Sequence, residues 1–142
     1  MKKLSRAECL SFMMARPRTG KIATVKPDGR PHVAPIWFAL DGDELLFTTW
    51  HTTAKAVNLR HNPQISLCVD DEAPPFGFVK YDGAARFSDD PEALRHWATV
   101  IAARYMGEEQ AEAFGNRNAV PGELLIRVTP ASIHGQTNIA GW

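Results

Sequence analysis

The chain has little cysteine: its 142 residues include only Cys9 and Cys68, far apart and in no C-x-x-C pair. The expectation is therefore free thiols, buried in a protein of the reducing cytoplasm, and no disulfide framework. An excess of charge of one sign is also missing, because Lys and Arg together number 16 and Asp and Glu together number 16. That balance argues against a general nucleic-acid binder, which carries a basic excess. No stretch approaches the roughly 20 apolar residues of a membrane span. The opening MKKLSRAECL has two lysines and no apolar run of signal-peptide length, so no membrane association is expected. The G-x-S-x-G elbow, the P-loop and G-x-G-x-x-G are all absent, which removes the usual hydrolase, nucleotidase and dinucleotide readings. His32, His51, His61, His96 and His134 lack metal-ligand spacing, and no metal site is expected. The acidic run Asp70-Asp71-Glu72 reads as a solvated loop. Without repeats, low-complexity tracts or a linker, residues 1–142 read as one domain.

What is present is a succession of short strands with turn signals. Ser5-Arg-Ala-Glu8 is a capping box, starting a helix from Arg6 to about Ala15. Lys21–Lys26 is β-prone, Pro27-Asp28-Gly29 is a turn, and His32–Leu40 should pair back as a hairpin. Pro35 cannot donate to a ladder, which places it at an edge or bulge. Asp41-Gly42 leads into Glu44–Thr49, so three consecutive strands are expected to form a meander. A short helix follows from Ala54 to about Arg60, then strands at Gln64–Val69 and Phe76–Phe87, the second bent or bulged at Gly83. Asp90-Pro91 opens a helix reaching about Tyr105, with Leu94, Trp97, Ile101 and Tyr105 on one face. Gly107 is its stop; a second helical piece spans Glu108–Phe114, and Gly115–Gly122 reads as loop. Leu124–Thr129 is the last strand, before a glycine-containing tail. Six strands with few short helices define a mainly β (α+β) fold, a small antiparallel barrel.

The segment Phe47–Arg60 carries the chemistry. A strand ends in a hydroxyl-rich turn, with Thr48, Thr49, Thr52 and Thr53 offering donors, and opens a helix with Lys55 in its first turn. Free N–H groups at a helix start favour an anion, and Asn58 shares the face of Lys55. Two readings fit this spacing: a seat for a phosphate, or a capped surface helix with a solvated lysine.

Three segments taken together, Gly20–Phe38, Phe47–Thr49 and Ala54–Pro63, resemble the pyridoxamine 5'-phosphate oxidase-like family, and within it the branch assigned to the deazaflavin coenzyme F420. The resemblance covers about Gly20 to Thr129. It implies a six-stranded antiparallel split β-barrel that binds a flavin-type cofactor, forming a homodimer with two cofactor sites at the subunit interface. It implies that His32, Val33, Ala34, Pro35, Ile36 and Trp37 border the ring system. Thr48, Thr49, Thr53, Lys55 and Asn58 match the positions that hold the phosphate and ribityl chain. Tyr81 and Trp142 are candidates to close the site of the second subunit, Trp142 alternatively packing on its own barrel.

The activity so implied is F420-dependent hydride transfer to a small electron-poor organic molecule. The alternatives are an FMN-binding oxidoreductase, pyridoxamine phosphate oxidase-like, or a non-catalytic cofactor-binding protein. True oxidase activity is disfavoured, since the longer C-terminal section that completes the oxidase substrate site is not found here. The cofactor supplies the reactive atoms, so no side chain is required as nucleophile. A proton would come from water, Tyr81 or Lys80. FMN and F420 share a ring system, ribityl chain and phosphate, but F420 adds an anionic tail, for which Arg16, Arg18 and Lys21 are candidate contacts or ordinary surface charges.

Overall fold

The computed structural model describes residues 1–141; Trp142 lies outside them. The strands are β1 (Lys2–Lys3), β2 (Gly20–Val25), β3 (Pro31–Ile36), β4 (Ala39–Asp41), β5 (Glu44–Trp50), β6 (Gln64–Asp70), β7 (Gly77–Ser88) and β8 (Glu123–Thr137). The helices are α1 (Arg6–Ala15), α2 (Ala54–His61), α3 (Pro91–Met106) and α4 (Glu108–Asn118). At the start of α1 the Glu8 N–H donates to Ser5 Oγ, and the Ser5 N–H donates back to Glu8 Oε1. That reciprocal box satisfies two otherwise open donors and fixes where the helix begins.

All strand pairs are antiparallel, in the order β3-β2-β6-β7-β8-β5-β4, with β1 added to the far end of β8. The sheet rolls into a split barrel around Ile22, Phe47, Leu67, Val79, Tyr81 and Ile126, all almost wholly buried. On the other face of β5, Leu46 is buried where α3 crosses β5. The bulge expected at Gly83 is present as a register shift between Asp82 and Gly83. A Cβ at Gly83 would overlap the Thr129 carbonyl oxygen and stand 2.8 Å from Val128 Cγ1, so only glycine allows β7 and β8 this approach.

The expected meander is corrected. β3 pairs with β2 alone and lies at one end of the sheet order, whereas β4 and β5 lie at the other. The run expected as one strand, His32–Leu40, breaks at Trp37-Phe38 because α3 claims the backbone there. The Phe38 N–H donates to the Tyr105 hydroxyl (3.3 Å), and the Arg104 guanidinium donates to Phe38 O (2.5 Å). Pro35 does lie on an edge strand, since β3 has a neighbour on one side only.

Two further segments differ from expectation. Residues 115–118 continue α4, because Gly115 lets the helix close onto Thr99 of α3, where a Cβ would overlap the Thr99 hydroxyl. The tail after Thr129 stays in the sheet to Thr137, pairing with the first half of β7 and with β1. Eight strands therefore stand where six were expected, without change of fold class.

Candidate cofactor site

Helix α2 is bound to the barrel at three points. Thr53 is its N-cap: Thr53 Oγ1 accepts from the Ala56 N–H (3.3 Å) and lies 2.7 Å from Thr49 Oγ1 on β5. Asn58 Nδ2 donates to Thr24 Oγ1 of β2 (3.0 Å) inside the barrel end. Arg60 Nη1 donates to the His51 carbonyl (2.9 Å). These bonds fix the helix axis and leave its first turn open. The N–H groups of Ala54 and Lys55 have no partner among the described residues, as geometry requires of the first turn. Lys55 is half-buried, and no described carboxylate lies within 4.0 Å of it.

Opposite Thr24 on the adjoining strand sits His32, on the same face of the β2–β3 pair. Its Nδ1 is buried and lacks a hydrogen-bond partner. A buried polar atom left unpaired costs about 1–3 kcal/mol, so this nitrogen is poised for a ligand group. Two open N–H groups, a lysine without a counter-ion and an orphaned imidazole nitrogen fit the polar parts of a flavin-type cofactor.

Several expected contacts are corrected by this geometry. Thr48 and Thr49 are consecutive on β5 and point to opposite faces, so only one of the two side chains faces the start of α2. Thr49 faces α2, while Thr48 lies on the face that meets Glu123. Asn58 is 3% exposed and committed to Thr24, so it positions α2 instead of facing a ligand. Along β3, His32 and Ala34 share the inner face and Ile36 enters the core, whereas Val33 and Pro35 point outward. Trp37 lies past the strand end, stacked on Tyr105 with ring centroids 5.1 Å apart.

Tyr81 cannot close a second subunit's site. It is fully buried, and its hydroxyl donates to the carbonyls of Asp43 (2.5 Å) and Val128 (3.2 Å). Burial pushes its pKa up, so it is not a ready proton donor either. Lys80 is exposed and pairs with Asp82 at 3.4 Å. Trp142 lies outside the described residues. Arg16 and Arg18 both meet Asp71 at 2.7 Å, and Lys21 meets Asp70 at 3.2 Å. Asp70 and Asp71 are thus the counter-charges of the three bases, while Glu72 is exposed as expected of a solvated run. Sequence reasoning missed Thr24, whose one signal was a hydroxyl at an inward position of β2.

Tyr81→Phe isolates the structural role of that hydroxyl. It should lower unfolding free energy by about 1–2 kcal/mol, the value of a buried hydrogen bond, and leave cofactor affinity unchanged. Urea unfolding and a cofactor titration check the two halves.

Residues 6–137 match the pyridoxamine 5'-phosphate oxidase family, and the chain belongs to it. Proteins of this family bind flavin-type cofactors. A conserved hypothetical protein of Mycobacterium tuberculosis is 28% identical, with a TM-score of 0.83 over 95% of this chain and 86% of that one. An F420 reductase is 29% identical, with a TM-score of 0.69 over 87% of this chain and 94% of that one. The heme storage protein of Vibrio cholerae, 21% identical with a TM-score of 0.70 over 87% and 89% of the two chains, shares the fold. No curated protein matches the chain. Among the described residues no helix is long and apolar enough to cross a membrane.

Proposed function

We propose that this protein is a cytoplasmic reductase that binds coenzyme F420 and passes hydride to a small electron-poor organic molecule. The observation that carries the reading is the open first turn of α2, where Lys55 and two N–H groups wait for an anion while Thr49, Thr53 and Asn58 hold the helix still. The F420 reductase at 29% identity supports the choice of deazaflavin over flavin. When bound, the deazaflavin supplies the hydride from its ring carbon. The chain's own work is placement. Lys55 and the start of α2 grip the phosphate, His32 Nδ1 meets a polar atom of the ligand, and β3 borders the ring.

The site is proposed to be shared by two copies of the chain. β3 is an edge strand whose outward residues are apolar and exposed, Val33 to 67% and Trp37, just beyond it, to 38%. Pro31 and Pro35 lack N–H donors on that edge, so a partner would cover it with side chains and not by continuing the ladder. Light scattering should give a dimer; a monomer sinks the shared site.

Titrating cofactor-free protein with F420 and with FMN, followed by fluorescence, tests the cofactor. Tighter binding of F420, with reduction of an enone or quinone by the reduced coenzyme, is expected. Preference for FMN would replace the reading with a flavin oxidoreductase. Binding without turnover of any acceptor would replace it with a cofactor-binding protein.

A further inference from the structure

A groove of about 750 Å³ opens on the other side of β5 and β8, between the end of β7, the first turns of α3 and the α4–β8 connection. It is of small-molecule size and has an apolar wall of Phe87, Leu94, Val120 and Leu124. Phe87 and Val120 leave 38% and 40% of their surface to water, an unused apolar contact.

The charges around it are unequal. Asp89, Asp90, Glu92 and Glu123 line it, against Arg60 and Arg95. Both arginines are engaged: Arg60 donates to the His51 carbonyl with its guanidinium 5.6 Å from the Phe87 ring, and Arg95 donates to Asn116. The N-terminus of α3 would favour an anion, but Asp90 caps it and Glu92 sits in its first turn. Glu123 is different. It is half-buried at the start of β8, no described Lys or Arg lies within 4.0 Å, and burial pushes its pKa up, with only the Thr48 hydroxyl favouring the charged form. The protein places a carboxylate against an apolar wall and supplies no cation for it.

We propose that this groove binds a small organic cation, a flat apolar body carrying a protonated amine, with the amine on Glu123 and the body on Phe87 and Val120. An ammonium there gains a charge-assisted hydrogen bond in a partly dry site. The inference does not depend on which cofactor is bound, because Glu123, Phe87 and Val120, which make the proposed contacts, lie outside α2; Arg60, in the last turn of that helix, only lines the groove.

Tryptamine and indole-3-propionate share a ring and differ in charge, so they make a matched pair of probes. Calorimetry on the cofactor-free chain should show tryptamine binding at least about tenfold more tightly, the value of one charge-assisted contact. Amide NMR shifts should fall on residues 87–95 and 119–124. Glu123→Gln should weaken tryptamine about tenfold, and Val120→Lys, at an exposed connection, should weaken it comparably by placing a cation at the mouth. Equal binding of acid and amine, shifts elsewhere, no binding, or wild-type affinity in Val120→Lys would each overturn the proposal. If Glu123→Gln does not fold, Val120→Lys decides.

Discussion

Lys55→Ala should weaken binding of a phosphate-bearing flavin by about 10- to 100-fold and leave folding stability nearly unchanged. Hydrogen bonds to charged groups contribute about 1.5–3 kcal/mol, which is that range of affinity. Stability should hold because Lys55 has no described carboxylate partner and alanine is the better helix former. The loss must also be specific to the phosphate. Riboflavin, which lacks it, should bind wild type and Lys55→Ala alike, while FMN should discriminate them. A variant that bound FMN as wild type does would remove the phosphate seat at α2, whatever the fold. Raised salt should narrow the gap, since part of the attraction at this half-buried lysine is screened.

The start of α2 was legible because its cause is local. A threonine cap, a helix of good formers and a proline two residues past its end lie within eleven residues, Thr53–Pro63. The same holds for the box at Ser5 and for the bulge at Gly83, where residue type alone signals backbone geometry. The roles of Thr49 and Asn58 were not legible. A hydroxyl and an amide near a lysine look like ligand contacts in sequence, and only the arrival of β2 and β5 beneath α2 turns them into its supports. Period-two alternation already said that Thr48 and Thr49 face opposite ways. Which of them faces α2 depends on how β5 sits between β4 and β8, a long-range matter. The broken meander has the same origin, since nothing near Trp37-Phe38 announces that α3, over sixty residues later, will take their backbone groups. The orphaned nitrogen of His32 is likewise visible only once β3 lies beside β2.

That long-range connection gives the largest expected loss of stability, at Arg104. One guanidinium donates to Phe38 O (2.5 Å), Met13 O (2.7 Å), Arg16 O (2.9 Å) and the Tyr105 hydroxyl (3.1 Å), joining the end of α3 to α1 and to the β3–β4 break. It also lies 4.4 Å from the Phe38 ring centroid. Burial lowers the Arg104 pKa, yet a guanidinium stays charged, so its removal strands acceptors without relieving a titration. Arg104→Met keeps much of the volume of the stem and removes every donor. Leaving several part-buried carbonyls unpaired should cost about 3–4 kcal/mol, a midpoint drop of about 10 °C for a domain of this size. Arg104→Lys should fall between, because one ammonium cannot reach both sets of carbonyls in the fork geometry of the guanidinium. Urea unfolding of the three proteins checks the order, and a Met variant within about 1 kcal/mol of wild type would refute the hub. Because the hub also sets Trp37 on Tyr105, the Met variant should shift tryptophan emission while still folded, before denaturant is added.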